Sequence, residues 1–274
     1  MSASTVEAAA NGFQITGKTR VLGILADPVA HVKAPPRINQ IALDRGRDAV
    51  IVPFHVAPDD LPALVSALRL MKNFDGAIVT VPHKGAMVNL CERISDEARV
   101  VGAVNIIRRE DDGSLVGDVL DGRGFVAGLA AAGIEPAGKR VHLTGAGGAA
   151  SAVAFSLARA GIAALTLANR SRDKAAALRG RLAEIYPGLS VVLGSDDPSG
   201  HDLVVNGTSL GMRDGDPLPL DAARLTPGMI VAEVVMEPAL TPLLALAGRC
   251  GCTLHFGKPM LDHQLELMAD FLKL

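Results

Sequence analysis

Two residues of the chain have side chains and positions suited to moving a proton, Lys84 and Asp121. Lys84 comes directly after the apolar run Ala77–Pro82, which the sequence predicts to be the end of a core strand. Asp121 lies in the stretch GDVLDGRGF, where we predict that it ends another strand and that Gly122 and Gly124 leave it little steric cover. Because open α/β sheets bind ligands at the carboxyl ends of their strands, an ammonium donor and a carboxylate acceptor there could hold one substrate hydroxyl. Taken singly, each residue type more often forms a surface ion pair.

A glycine-rich loop, TGAGGAASA, joins a predicted strand to a predicted helix in the second half of the chain. Gly145 permits a tight turn, Gly147 lets the backbone approach a pyrophosphate, and Ala150 stands where a third glycine would allow close helix–sheet packing. The first N–H groups of the helix carry partial positive charge and suit phosphates. The loop therefore predicts dinucleotide binding rather than a purely structural turn, through Gly145, Ala146, Gly147, Gly148 and Ala149.

The residues after the next strand indicate which dinucleotide is bound. An NAD site usually has Asp or Glu about 20 residues further on, to hold the ribose hydroxyls. Here the strand ends at Asn169, 24 residues after Gly145, and Arg170, Ser171 and Lys174 follow in place of a carboxylate. A guanidinium fork with a hydroxyl suits a 2′-phosphate, so the sequence predicts NADP(H). The alternative is a solvated basic helix start, which the helix dipole disfavours.

Short β-branched runs alternate with longer helical stretches, from VLGIL near the start to MIVAEVV near the end. This rhythm predicts an α/β fold with parallel strands and right-handed crossovers. The stretch EDDGS between two short runs predicts a β-hairpin. The final stretch, residues 259–274, predicts an amphipathic helix with Leu261, Leu265, Met268 and Leu272 on one face.

Composition argues against several classes of function. The chain has 274 residues, 49% of them hydrophobic, and its 27 basic and 29 acidic residues nearly cancel. We therefore expect neither a nucleic-acid nor a membrane partner, and the absence of Trp with a single Tyr argues against a base-stacking surface. Cys91, Cys250 and Cys252 form neither a disulfide framework nor a zinc motif, so we expect no metal and a cytoplasmic location. Residues 1–12 predict a frayed tail rather than a signal peptide.

These motifs together resemble the shikimate dehydrogenase family. The resemblance runs from Gly23 to Gln264 and rests on motifs that occur in the family's order. In chain order they are ADPVAHVKAPPRIN, VTVPHK, GAVN, GDVLDGRGF, GAGGAA with NRS, NGTSLGM, PALTPLL and GKPMLDHQ. So many motifs in one order make the resemblance specific.

The resemblance implies an amino-terminal α/β substrate domain, residues 1–121 with 257–274, and a Rossmann NADP-binding domain, residues 122–256, with the active site in the cleft between them. It implies reversible hydride transfer between NADP(H) and a cyclic hydroxy or keto substrate, and we expect a monomer or homodimer. Lys84 and Asp121 fall on the catalytic pair. The substrate-binding positions fall on Val32, Ala34, Thr80, Asn105, Met236 and Gln264. Further cofactor positions fall on Asn206, Thr208, Leu210, Met212, Val234, Gly257 and Met260.

Several positions depart from the family pattern. Two serines and a tyrosine hold the shikimate carboxylate in the family, and these positions are Val32, Ala34 and Met236 here. Other polar positions of the family are replaced by Ile78, Val119 and Leu120. A hydrogen bond to a charged group contributes about 1.5–3 kcal/mol, so losing three donors should weaken the binding of shikimate by roughly 4 kcal/mol or more, a factor near 1000. We therefore expect the hydride chemistry to survive and shikimate to be a poor substrate.

Two alternatives stay open at this point. The chain is either an authentic shikimate or quinate dehydrogenase that holds the carboxylate with Lys33 and Arg37, or a non-catalytic sensor that binds NADPH. The retained polar positions of the active site argue against the sensor, because a degenerate binding protein has no need of them. Poor turnover of shikimate would distinguish the main hypothesis from the first alternative.

Overall fold

The computed structural model describes residues 15–30 and 32–274, so the predicted tail at residues 1–12 lies outside the described residues. The chain divides into two compact units. The first contains the described residues up to Arg93 together with Ile106–Gly117 and Met268–Leu274, and the second contains Ile94–Asn105 and Asp118–Leu267. The first unit is thus discontinuous in sequence, as the expected substrate domain is. The predicted functional bounds at residues 121 and 257 do not coincide with these units and stay a prediction.

The first six strands of the chain form a mixed sheet in the order β2-β1-β3-β5-β6-β4. Its strands are β1 (Arg20–Ala26), β2 (Ala49–His55), β3 (Phe74–Val79), β4 (Arg93–Ile94), β5 (Ile106–Arg109) and β6 (Leu115–Asp118). The helices are α1 (Ala34–Asp44), α2 (Leu61–Leu70) and α3 (Lys84–Met87), with short 3₁₀ turns at Pro58–Asp60 and Val88–Leu90.

Strand pairing in this sheet follows the length of the connections. β1 pairs in parallel with β2 and β3, each reached through a helical connection, whereas β3 and β5 are antiparallel. The predicted hairpin between β5 and β6 is confirmed, because Glu110 N donates to the Ser114 carbonyl and Gly113 N to the Glu110 carbonyl, both at 2.9 Å. The expectation of parallel strands therefore holds for only part of this sheet.

The second unit is built around a sheet in which all the strands pair in parallel. Its strands are β7 (Arg140–Thr144), β8 (Ala164–Ala168), β9 (Ser190–Leu193), β10 (Leu203–Asn206), β11 (Ile230–Glu233) and β12 (Thr253–His255). Its helices are α4 (Asp96–Val101), α5 (Asp121–Ala131), α6 (Gly148–Arg159), α7 (Arg172–Ile185) and α8 (Pro242–Arg249), with a 3₁₀ turn at Ala222–Arg224. The final helix, α9, spans Lys258–Phe271.

The strand order of this second sheet is β12-β11-β10-β7-β8-β9, which is the Rossmann order. The chain starts at β7, runs outward through β8 and β9, and then returns to β10 on the other side of β7. The direction reverses between β7 and β10, and ligands of such sheets bind where this reversal occurs. The glycine-rich loop follows β7, and the NGTSLGM stretch follows β10, so both border the reversal point.

Close packing of α5 against α6 requires glycine at position 122. A Cβ atom there would clash with the Ala152 carbonyl oxygen and with Ser156 Oγ. We expect Gly122→Ala to lower the free energy of unfolding by about 1–3 kcal/mol, because backbone on the facing helix cannot move aside without repacking. Urea or thermal denaturation followed by circular dichroism measures this change.

Gly180 provides the matched control, since it lies inside α7 and a glycine-to-alanine replacement there meets no described neighbouring atom within 4 Å of the Cβ position. Gly180→Ala should raise the free energy of unfolding by about 0.5–1 kcal/mol, because alanine has the better helix propensity and nothing obstructs it. A Gly122→Ala protein as stable as the wild type would contradict the packing argument.

Candidate active site

Asp121 and Gln264 form the centre of a polar cluster in the second unit. Asp121 begins α5, three residues after β6 ends, so the prediction that it ends a strand is wrong. The residue is 6% exposed, and Gln264 Nε2 donates a 2.7 Å hydrogen bond to its Oδ1 atom. One carboxylate oxygen is therefore held by a buried amide, which fixes the direction of the group.

Gly124 explains how Gln264 reaches Asp121. A Cβ atom at Gly124 would lie 2.6 Å from the Met260 carbonyl oxygen and 2.8 Å from Gln264 Cβ, so only glycine lets α9 come this close to α5. The prediction that Gly122 and Gly124 leave Asp121 little covered is wrong. Both glycines instead allow neighbouring helices to pack closely around a buried carboxylate.

Asn105 lies on the chain segment beside the same cluster and is 1% exposed. Its Oδ1 accepts a 2.9 Å hydrogen bond from Leu120 N, and its own backbone N donates to the Asp118 carbonyl at 2.9 Å. Its Nδ2 has no hydrogen-bond partner among the described residues. Since a buried donor without an acceptor is unfavourable, this amide is suited to a ligand oxygen.

A partly buried charge network supports the turn that leads into Asp121. The Arg123 guanidinium pairs with the Asp118 carboxylate, and its Nε lies 3.3 Å from Glu97 Oε2. Ser156 Oγ donates a 2.7 Å hydrogen bond to the other Glu97 oxygen. Burial raises the pKa of Glu97, and the hydrogen bond from Ser156 and the nearby arginines only partly oppose this effect. The network ties α4, α5 and α6 together around the turn.

Lys84 begins α3 in the first unit and is partly exposed. The turn that carries it is held by the preceding residue, His83, which is 1% exposed and has Nε2 3.0 Å from the Val56 carbonyl oxygen. Thr80 lies in the same turn: its N donates to the Leu25 carbonyl at 3.0 Å and its carbonyl accepts from His83 N at 2.8 Å. These hydrogen bonds hold the backbone of the turn that carries Lys84 in one conformation. The pairing of Lys84 with Asp121 stays a prediction.

The apolar residues that replace the family's polar residues differ in how exposed they are. Val32 is partly exposed, Ala34 at the start of α1 is buried, and Met236 after β11 is 40% exposed. None of these three side chains has a hydrogen-bond donor. The other three are buried in the core: Ile78, Val119 and Leu120.

The glycine-rich loop has the shape that a diphosphate requires. Gly145 adopts φ +119°, a conformation that favours glycine, and its N donates to the Ala168 carbonyl at 2.7 Å. Gly147 and Gly148 are exposed, and no described atom lies within 4 Å of a Cβ built on either. Ala150 is fully buried and packs close to Gly207, whose Cβ would lie 2.8 Å from Ala150 Cβ. The loop is thus open on one side and packed on the other.

The residues after β8 are suited to a 2′-phosphate. Ser171 is the N-cap of α7, with its side chain accepting from Lys174 N at 3.5 Å. Asn169 Nδ2 donates a 2.7 Å hydrogen bond to the Ser171 carbonyl, which fixes the turn. Arg170 and Lys174 are exposed at this helix start together with Arg172 and Asp173. Three cations beside one carboxylate leave a net positive charge there, which the helix dipole disfavours unless an anion binds. Ala146 and Ala149 in the glycine loop are partly exposed.

The NGTSLGM stretch is organised by the side chain of Asn206, which is fully buried at the end of β10. Its Oδ1 accepts from Thr208 N at 3.0 Å and from Thr208 Oγ1 at 2.7 Å, and its Nδ2 donates to the Leu210 carbonyl at 3.0 Å and to Glu233 Oε1 at 3.1 Å. Met212, at the end of the stretch, is 56% exposed.

Three further predicted cofactor positions lie after β11 and around the start of α9. Val234 N donates to the Asn206 carbonyl at 3.1 Å, which continues the β10–β11 pairing. Gly257 approaches the Val235 carbonyl so closely that a Cβ atom would clash, and Met260 is 8% exposed.

Sequence reasoning missed three charged residues of this unit, Glu97, Arg123 and Glu233. Glu233 is fully buried at the end of β11, and the signal was present as a carboxylate inside the apolar run MIVAEVV. Arg123 lies in the same motif as Asp121, so its spacing was also visible. The pairings of Glu97 with Arg123 and Ser156, and of Glu233 with Asn206, were not visible, because these partners lie 26 to 59 positions apart in the chain.

Two other classes of feature are absent from the described residues. No helix there is long and apolar enough to cross a membrane. The described part of the chain also contains no group of three or more His, Cys, Asp or Glu side chains that could hold a metal ion.

Comparison with known proteins adds independent findings. A family model described as the shikimate dehydrogenase substrate binding domain matches residues 24–107. A shikimate dehydrogenase (NADP(+)) of Rubrobacter xylanophilus is 41% identical over 260 residues, which cover 92% of this chain and 89% of that protein.

Two solved structures are similar over almost the whole chain. The ligand-free 5-ketofructose reductase of Gluconobacter sp. strain CHM43 has a TM-score of 0.86 at 30% identity and covers 95% of this chain and 94% of its own. The shikimate 5-dehydrogenase of Thermus thermophilus, in complex with NADP(H) and shikimate, has a TM-score of 0.81 at 31% identity and covers 93% of each chain.

Proposed function

Because this chain belongs to the shikimate dehydrogenase family, in which the relatives described above are named for or bound to NADP, we propose that it transfers hydride reversibly between NADP(H) and a cyclic alcohol or ketone. The observation that carries this proposal is the buried Asp121 carboxylate held by Gln264, beside an Asn105 amide whose donor lacks a partner among the described residues. Such a cluster is costly for folding alone, so it points to a ligand with hydroxyl or carbonyl oxygens.

The chemistry divides between the cofactor and the protein. When bound, the nicotinamide supplies or accepts the hydride. Lys84 and Asp121 handle the proton of the substrate hydroxyl together. In ketone reduction the Lys84 ammonium donates the proton, and the Asp121 carboxylate orients the same oxygen. Asn105 and Gln264 hold the substrate through their amide groups, and Thr80 lies on the turn that carries Lys84. The glycine loop and the first turn of α6 bind the diphosphate.

We expect NADPH to be strongly preferred over NADH. Arg170 and Lys174 bind the 2′-phosphate in this proposal, and a charge-assisted hydrogen bond contributes about 1.5–3 kcal/mol. Arg170→Ala should therefore raise the KM for NADPH by about 10- to 100-fold and leave the KM for NADH within about twofold. Initial rates with each cofactor measure both values.

Arg179→Ala is a suitable control for that variant, because Arg179 is exposed on the same helix but away from its start. Its KM for NADPH should match the wild type. An equal rise for NADPH and NADH in Arg170→Ala would contradict recognition of the 2′-phosphate.

The substrate is proposed to lack the carboxylate of shikimate. Val32, Ala34 and Met236 offer no side-chain donor where the family holds that group. In support, one similar structure is that of a protein named for a keto sugar, and a keto sugar carries hydroxyl and carbonyl groups without a carboxylate. Authentic shikimate dehydrogenase is the second candidate, favoured by the names of relatives such as that of Rubrobacter xylanophilus.

A panel of cyclic ketones and keto sugars, with and without carboxylates, tests the proposal through the loss of NADPH absorbance. We expect turnover of a neutral member and an apparent affinity for shikimate or dehydroshikimate that is millimolar or weaker. Micromolar affinity for the carboxylate compounds would favour the second candidate. Binding of NADPH without turnover of any member would favour a sensor. We propose the cytoplasm as the location, where NADPH is supplied.

A further inference from the structure

Glu233 is a carboxyl group in an unusual position, fully buried at the carboxyl end of β11. Residues Val231 and Ala232, which precede it in the strand, are also fully buried, and Val235 beyond it is 4% exposed. Burying a carboxyl group among apolar residues opposes folding unless hydrogen bonds offset the loss of water. Apolar packing alone therefore does not explain why a carboxyl group is present here.

The parallel register places Glu233 directly beside Asn206 on β10. Oε1 of Glu233 accepts a 3.1 Å hydrogen bond from Asn206 Nδ2. Oε2 has no hydrogen bond of normal geometry among the described residues, although Thr241 at the start of α8 lies close enough to favour the charged form. Burial is the larger effect and raises the pKa of Glu233.

A chain of hydrogen bonds runs from this carboxyl group into the NGTSLGM stretch. Because Glu233 takes one hydrogen of the Asn206 amide and the Leu210 carbonyl takes the other, the amide cannot flip without losing both. The Asn206 Oδ1 atom is then directed at Thr208, whose Oγ1 in turn accepts from Leu210 N at 3.0 Å. The loop conformation thus depends on which way one buried amide points.

We infer that Glu233 is a positioning residue for the cofactor: it orients Asn206 and so fixes the loop 206–212 at the point where the Rossmann sheet reverses its strand order. This inference rests on the proposed function, in which that loop contacts NADP(H). In this inference Glu233 acts through Asn206 and not through contact with the substrate or the cofactor. Its role requires a hydrogen-bond acceptor at this place and not a negative charge.

The test compares three variants of the full-length protein. Glu233→Met keeps the length of the side chain but removes the carboxyl acceptor, and it should raise the Kd for NADPH about 10-fold or more. Glu233→Gln keeps an acceptor oxygen without charge and should stay within about twofold of the wild type. Val231→Ala, in the same buried strand, is the control for lost stability and should bind NADPH normally even where its melting temperature falls.

Kd values come from the change in NADPH fluorescence on binding, and melting temperatures from circular dichroism. A normal Kd in Glu233→Met, a 10-fold weaker Kd in Glu233→Gln, or the same loss in Val231→Ala would each overturn the inference. If Glu233→Met does not fold, Glu233→Ala removes the same acceptor with a smaller side chain and should also raise the Kd; a normal Kd there would overturn the inference. Failure of the wild type to bind NADPH would instead refute the proposed function.

Discussion

Replacing Lys84 with alanine is expected to lower kcat on the best neutral substrate by a factor of about 10² to 10⁴, with the Kd for NADPH within about twofold of the wild type. The reason is that a positioned donor and acceptor of protons accelerates such a step by about this factor. Lys84 begins α3 on a turn that is fixed by the buried His83 ring, so the ammonium is presented from a defined backbone. Stopped-flow or steady-state absorbance of NADPH measures the change.

Two further variants separate the role of the proton from the role of size and charge. Lys84→Met keeps the length without the ammonium and should be as slow as the alanine variant. Lys84→Arg keeps the charge but should also be slow, because a guanidinium does not release its proton at neutral pH. Lys72→Ala, an exposed lysine of the same unit, is the control and should keep wild-type kcat. Full turnover by Lys84→Ala would remove the assignment.

Restoring the family's polar residues should convert the protein towards shikimate. The triple variant Val32→Ser, Ala34→Ser and Met236→Tyr supplies three donors to the carboxylate, and we expect kcat/KM for shikimate to rise by about 10²- to 10³-fold. Three charge-assisted hydrogen bonds at roughly 4 kcal/mol in total correspond to a factor near 1000. The rates of NADP⁺ reduction with shikimate, in the wild type and in the variant, provide the measurement.

The methyl ester of shikimate is the matched control substrate, because it has the same ring without the negative charge. Its kcat/KM should change by less than about fivefold in the triple variant. If the wild type already reduces NADP⁺ efficiently with shikimate, the carboxylate is held elsewhere. Losses in Lys33→Ala or Arg37→Ala would then identify which cation holds it.

Local motifs predicted several turns of the backbone. The tight turn at Gly145 and the open position at Gly147 depend on residues next to them in the chain, and the structure has both of them as expected. The hairpin after β5 followed from five residues in the same way. Turn chemistry of this kind acts over a few residues, so it can be recognised without knowing the fold.

Long-range packing accounts for the errors. Asp121 is the first residue of a helix and not the last residue of a strand. Its neighbouring glycines are needed because α6 and α9 pack closely against α5. Local sequence shows only that glycine is small and permissive. Whether glycine exposes a neighbour or admits a second helix depends on what packs against it, which comes from distant parts of the chain.

By itself, the sequence determined the alternation of strands and helices, the phosphate loop, the basic residues after β8, and the loss of polar groups at Val32, Ala34 and Met236. These features depend on residue type and on spacing over a few positions. Only the tertiary structure decided that Gln264 holds Asp121 across 143 positions of sequence, and that Glu233 orients Asn206 from a neighbouring strand. A buried hydrogen bond requires both partners to be brought within about 3 Å, and that placement comes from the packing of whole helices and strands.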